Sequence, residues 1–182
     1  MPPALADQHD PDSNPAGRDH RGIDTVEHLA DHLAEFASGS MVIVCIGNEL
    51  AGDDAAGVEV GKKLSGQIPW KVFNTQTVPE SFLMKIVELK PESVLLVDAL
   101  DFGAAPGAVE VVSAERITGQ GPSTHGPAPL AFLELLGMMH PARCAVLGIQ
   151  PKSGDLDAPL SNPVAKAVDM VVQAFKDLAQ RT

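Results

Sequence analysis

The chain has 182 residues, 45% of them apolar, with a formal net charge of −11 and a pI near 4.8. That length supports one domain with a full core and is short for two. The acidity argues against nucleic acid, whose phosphates need clustered Lys and Arg, and against docking on an anionic membrane surface. The two cysteines, Cys45 and Cys144, each fall within an apolar, strand-like run and form no CxxC pattern. They read as buried thiols of a reducing compartment. No stretch reaches the roughly 18–20 uninterrupted apolar residues that span a bilayer, and the N-terminus lacks the basic and apolar regions of a signal peptide. A cytoplasmic protein is expected.

In chain order, residues 1–21 are rich in Pro, Asp, Asn and Gly without apolar periodicity and predict a disordered tail. Residues 22–40 form an extension around an amphipathic helix at about 24–37. Asp24 and Glu27 make a capping-box-like start, and Val26, Leu29, Ala30, Leu33 and Phe36 share one face. His28 and His32 stand at i, i+4 but fall off that face among acidic residues, and read as solvated. From Met41 the periods alternate. MVIVCI (41–46) predicts a strand buried on both faces. Ala55 to Leu64 predicts a helix behind an Asp cap, WKVFNT (70–75) a strand, Glu80 to Leu89 a helix, and SVLLVDA (93–99) the most apolar strand. The short link to AVEVVSA (108–114) predicts an antiparallel hairpin between those two strands. A Gly/Pro/Ser loop (119–128), a helix at about 129–139, the strand RCAVLGI (143–149) and a helix over 162–178 complete the chain. The sum is an α/β fold: a single three-layer α/β/α domain, residues 41–182, around a mixed, mostly parallel five-stranded sheet. With no apolar stripe left unassigned, a monomer is expected.

Chemistry-bearing residues gather where strands end. In open α/β sheets ligands bind outside the carboxyl ends of the strands. The loop GNELAGDDAAG (47–57) lacks the closer glycines of a dinucleotide fingerprint and the Lys-Ser/Thr of a phosphate loop. Its adjacent Asp53 and Asp54 would repel phosphate. One of the two suffices as a helix cap, leaving the other for chemistry or solvent. Asp98 closes an otherwise apolar strand, where an unpartnered carboxylate is costly. His125 lies in the loop before a helix. Two carboxylates and one imidazole at one sheet edge would make a three-ligand metal site with open positions. Gly-x-Ser-x-Gly, His-Glu-x-x-His and Asp-Thr-Gly signatures are missing from the sequence, and neither cysteine has an electropositive, exposed setting.

GNELAGDDAAG, ELKPESVLLVDALDFGAAPG, THGPAPL and LGIQP together resemble the hydrogenase maturation proteases, in particular the formate-hydrogenlyase branch, over about residues 41–178. The first metal-binding position is Asp54 here, whereas the uptake-hydrogenase branch has Glu. The resemblance implies an endopeptidase that removes a C-terminal extension from the precursor of a nickel–iron hydrogenase large subunit after nickel insertion. It also implies Asp54, Asp98 and His125 as the metal-binding and catalytic residues, which selects Asp54 over Asp53 and leaves Asp53 as the helix cap. Nickel would arrive with the precursor, held by its cysteines; another divalent metal is the candidate for the isolated enzyme. Hydrolysis through a metal and hydrolysis by the carboxylate pair as general base and acid both fit the implied residues. The competing reading is a non-catalytic, nickel-sensing or chaperone-like module that binds the precursor without cutting it. A flavodoxin-like cofactor domain is disfavoured by the missing phosphate loop.

Overall fold

The computed structural model describes residues 22–37, 39–114 and 128–182. In chain order it contains α1 (Val26–Ala34), β1 (Met41–Ile46), α2 (Ala56–Leu64), β2 (Lys71–Gln76), α3 (Leu83–Glu88), β3 (Ser93–Ala99), β4 (Val109–Ser113), α4 (Ala128–Met139), β5 (Arg143–Ile149) and α5 (Asn162–Arg181). Short 3-10 turns, Gly52–Ala55 and Pro79–Phe82, lead into α2 and α3. The strands form one sheet in the order β2-β1-β3-β5-β4. All pairs are parallel except β4 with β5. The fold class expected from the sequence is the fold observed.

Side-chain alternation divides the core into two layers. Ile43, Cys45, Leu95, Val97, Leu147 and Ile149 face a cluster completed by α1, α2 and α5. Val42, Val44, Val94, Leu96 and Val146 face a smaller one completed by α3 and α4, with Ile86, Phe132 and Leu136 at its centre. Because helices cover both faces, β1 and β3 are buried along their whole length, as their continuous apolar runs require. The edge strands β2 and β4 are only partly buried.

The expected β3–β4 hairpin is not formed: β4 pairs with β5, which lies between them. Residues 100–108 are long enough to cross the about 10 Å of two strand spacings. RCAVLGI needs cover on both faces and takes the inner place, while VEVVS tolerates an edge. Ile23, before α1, makes an antiparallel bridge to Val109 and covers part of that edge, its N–H donating to the Val109 carbonyl at 2.7 Å.

The cap of α1 is also reassigned. Thr25, not Asp24, holds the N-cap position, and its hydroxyl accepts from the His28 N–H at 3.2 Å. His28 and His32 are exposed. Leu29, Ala30 and Leu33 are fully buried within the larger cluster, against the side that carries α5. On α3, at its C-cap and on α4, Met84, Leu89, Leu135, Met138 and Met139 remain exposed, so the ground for expecting a monomer, that every apolar stripe has a partner within the chain, does not hold. Among the described residues no helix is long and apolar enough to cross a membrane.

Burial of α1 generates a stability prediction. Leu33→Ala should lower the unfolding free energy by about 2–4 kcal/mol, the ordinary cost of emptying a leucine site in a packed core. Urea denaturation of the variant beside wild type measures it.

Candidate active site

The loops that leave the carboxyl ends of β1, β3 and β5 meet at one edge of the sheet. At its centre α2 starts unusually close to the strands. A side chain on Gly57 would stand 2.2 Å from the Ile46 carbonyl and 2.3 Å from that of Val97, so only glycine lets the helix begin there. That contact brings the turn Gly52–Ala55 against the end of β3. Gly47 makes the return equally tight, since a Cβ there would meet the Asp54 carbonyl at 2.1 Å. Asn48 organises the loop between them. Its side-chain oxygen accepts from the Leu50 N–H at 3.0 Å, and its own N–H donates to the Asp54 carboxylate at 3.1 Å.

Asp54 thus stands beside Asp98, which follows the alternation of Val94 and Leu96 to the end of β3. Asp98 is only 8% exposed. Burial pushes its carboxyl up to about 7, the neighbouring Asp54 carboxylate pushes in the same direction, and one N–H, that of Ala99, works against them. A carboxyl in that range can both take and give a proton near neutral pH. Beside the pair opens a cavity of about 290 Å³ lined by Ala51, Asp54, Ala99, Pro151 and Gly154. Cys45, deep in β1, is held as a neutral thiol by burial and by Asp98, which removes it as a nucleophile.

Asp53 does something other than cap its own helix. The N-cap residue of α2 is Ala55, and no side chain caps it. The Asp53 carboxylate, 1% exposed, turns instead to the β5–α5 connection. One oxygen accepts from the Ser161 N–H at 2.6 Å; the other accepts from the N–H groups of Lys152 at 2.8 Å and Ser153 at 3.2 Å and from the Ser161 hydroxyl at 2.9 Å. Burial alone would raise this acid, but those donors, with the Ser161 N–H first, outweigh it and hold it below its ordinary value. The carboxylate also faces the N-terminus of α5, where negative charge is favoured.

A second polar hub, Gln150, is 6% exposed. Its carbonyl oxygen accepts from Phe102 and Ala104 N–H at 2.9 and 3.1 Å, and its amide donates to the Asp101 carboxylate at 3.1 Å. It ties the loop after β3 to the end of β5. The sequence signal for Gln150 is weaker than that for Asp98, since it follows the last residue of a buried strand.

Of the residues expected to act, Asp54 and Asp98 are brought together. His125 lies outside the described residues. Among the described residues no three His, Cys, Asp or Glu side chains converge as a metal site, so the two carboxylates alone do not make one.

A family model described as hydrogenase maturation protease, of the HycI type, matches residues 58–177. The chain belongs to the hydrogenase maturation protease family. The matched stretch contains Asp98 and the position of His125 and starts just after Asp54. The hydrogenase 3 maturation protease of Escherichia coli K12 is 31% identical over 137 residues, which cover 74% of this chain and 88% of that protein. The crystal structure of a NiFe hydrogenase maturation protease, HycI from Thermococcus kodakarensis KOD1, superposes with a TM-score of 0.74 at 28% identity, covering 82% of this chain and 99% of that one. The solution structure of the endopeptidase HycI from Escherichia coli gives a TM-score of 0.68 at 29% identity over 76% of this chain and 90% of that one. As a member of this family the protein is a peptidase.

Two predictions follow from the opposite shifts of the buried acids. Asp98 is raised from 3.8 to about 7, so the folded protein holds a proton that the unfolded chain gives up. Stability therefore falls as pH rises from about 4 to 7, by up to about 4 kcal/mol for this group. Asp98→Asn should remove that slope, so that its stability relative to wild type is more favourable at pH 8 than at pH 5 in urea titrations without metal. Asp53 is shifted down, and its contribution is present above about pH 4 and lost as pH falls through its folded value. Asp53→Ala strands buried N–H groups and should cost about 3 kcal/mol or more at pH 7. Asp53→Asn should rescue little, because its NH2 must face donors; the same titrations check both.

Proposed function

We propose that the protein is an endopeptidase that removes a C-terminal extension from the precursor of a nickel–iron hydrogenase large subunit once nickel is in place. The observation that carries the reading is the pairing of Asp54 with a buried Asp98 titrating near 7 beside an open cavity, in a chain of the maturation protease family. Asp54, Asp98 and His125 are proposed as the residues that recognise nickel held by the precursor's thiolates. Two carboxylates and one imidazole bind a free first-row ion only modestly. Thiolates of the precursor completing the shell make the complex strong only when nickel is loaded. Nickel is then part of the substrate, and a precursor without it is left uncut.

Hydrolysis adds water across the peptide bond: hydroxide goes to the carbonyl carbon and a proton to the departing nitrogen. In the route without metal chemistry at the carboxylates, Asp98 is proposed to take the proton from the attacking water and to deliver it to the amine, a shuttle suited to an acid near 7. In the alternative route, where Asp54 and Asp98 hold the precursor's nickel, the metal would polarise the carbonyl or activate the water in place of that shuttle. Burial serves both steps, because charge interactions strengthen where water is excluded. Removal of the extension frees the precursor's new C-terminus to close over its metal. The reaction is assigned to the cytoplasm, with the enzyme acting as a monomer on the precursor.

The test mixes the purified protein with its cognate precursor, nickel-loaded or nickel-free, and follows the precursor's intact mass. Wild type should release the extension from the loaded form alone. Asp98→Asn and His125→Ala should lower the rate by at least about 100-fold, in line with the loss of a proton-transfer group. Nickel-dependent association without mass loss would instead make the protein a sensing module, with the same residues used for recognition.

A further inference from the structure

In the two loops that supply lining residues to the cavity, two large apolar side chains stand in solvent. Leu50 is 65% exposed and Leu156 is 75% exposed. A single exposed leucine is ordinary; this pair is distinguished by where it stands and how firmly it is held. Leu50 immediately precedes Ala51, and Leu156 comes two residues after Gly154, and Ala51 and Gly154 both line the cavity with Asp54. The backbone of Leu50 is fixed at both ends, its N–H donating to Asn48 Oδ1 at 3.0 Å and its carbonyl accepting from the Asp157 N–H at 2.7 Å. That second bond joins the two leucine-bearing loops directly. The Asp53 N–H donates to the Ser153 carbonyl at 3.1 Å and the Asp53 carboxylate accepts from the same segment, so the loops form one unit.

We infer that Leu50 and Leu156 form an apolar clamp that grips the leaving side of the substrate, an extended segment of the extension with an apolar side chain close to the cut bond. The inference rests on the endopeptidase reading. In that reading the retained side is anchored through its nickel at Asp54, Asp98 and His125, and the extension carries no metal to be held by. Its grip has to come from side chains next to the cavity, and the two leucines are large, apolar and within a few residues of its lining. Their backbones are already ordered, so little conformational freedom is lost when a peptide is seated. Specificity thus has two parts: nickel recognition on one side of the bond and apolar contact on the other.

The experiment measures kcat/KM on the nickel-loaded precursor for wild type, Leu50→Ser, Leu156→Ser and the double variant. Each single change should lower kcat/KM by about 10-fold and the pair by about 100-fold, as expected when a seated apolar group loses its contact. Melting temperatures should stay at the wild-type value because both side chains are exposed, and Leu→Met at either site should restore most of the activity. Met138→Ser, on an exposed side chain near the start of β5 at the far edge of the sheet, is the control and should change nothing. Replacing the apolar residues that open the extension by Ser should reproduce the loss in wild type and add little in the double variant. Wild-type cleavage with the double variant within twofold would overturn the clamp alone. So would losses that multiply when enzyme and extension are both changed, or an extension that opens without apolar residues. Failure of wild type to cut the loaded precursor would overturn the endopeptidase reading and the clamp with it.

Discussion

The edge of the sheet that carries Asp54 and Asp98 is held in shape by one buried carboxylate, Asp53. Its four hydrogen bonds reach from the loop after β1 to the connection between β5 and α5, about a hundred residues further along the chain. Without it, the wall of the cavity formed by Pro151 and Gly154 would keep the backbone bonds from Asp53 N–H to Ser153 and from Asp157 N–H to Leu50 but lose the four bonds of the carboxylate to the turn that presents Asp54. An ionised acid is a costly thing to bury, and here it is stable because every partner is a donor and three of them are backbone N–H groups that would otherwise need water. The residue beside it in sequence has the opposite situation. Asp54 accepts from one N–H and faces another carboxyl. Adjacent aspartates on a single 3-10 turn point to different surroundings, so one serves as structure and the other is left for chemistry.

That division sets up a local conflict in the free protein. Asp54 and Asp98 lie close together in a water-poor corner, and the pair is accommodated by leaving Asp98 protonated near neutral pH. A proton and a metal are alternative answers to the same repulsion, and both are removed or supplied from outside. A site of this kind is less stable than the apolar core around it, and the fold compensates with Gly57, Gly47 and the Asp53 network, which fix the backbone where the side chains alone would push it apart. Under the proposed function the conflict becomes selective, because a nickel ion already bound by the precursor satisfies both carboxylates and an empty precursor satisfies neither.

Much of this was legible in the residues, for reasons that differ by element. β1, β3 and β5 were found at their observed limits because strands covered on both faces must be apolar throughout. Asp98 is legible as a polar residue where apolarity is obligatory, whereas Gln150 follows the last residue of β5 and stands out less in the sequence. The order of the strands was not legible. A short connection between β3 and β4 suits a hairpin, and only the competition of β5 for an inner position displaces it. Local rules also misplaced two caps. Asp24 yields to Thr25, which lies nearer the helix start, and Asp53 forgoes its own helix for donors on the far side of the sheet edge. Partners so distant in sequence leave no trace in local spacing. The family resemblance selects Asp54, the aspartate that stands beside Asp98, and leaves Asp53 as a helix cap, a role the fold does not use.

The loops of the sheet edge therefore combine two properties that usually trade against each other. Their backbones are tied as firmly as a core, through Asn48, Asp53 and Gln150. Two of their side chains, Leu50 and Leu156, are largely exposed. Exposed leucines are ordinary taken singly and add little to stability, so folding alone does not call for a rigid backbone beneath them. It is well explained by recognition, in which order arranged beforehand reduces what binding must supply. The same logic applies to the carboxylates: Asp54 is placed beside Asp98 at a cost to the free protein and is useful only when something arrives. In this molecule the paired carboxylates and two of the exposed leucines share the carboxyl ends of β1, β3 and β5, which is the edge the proposed function uses.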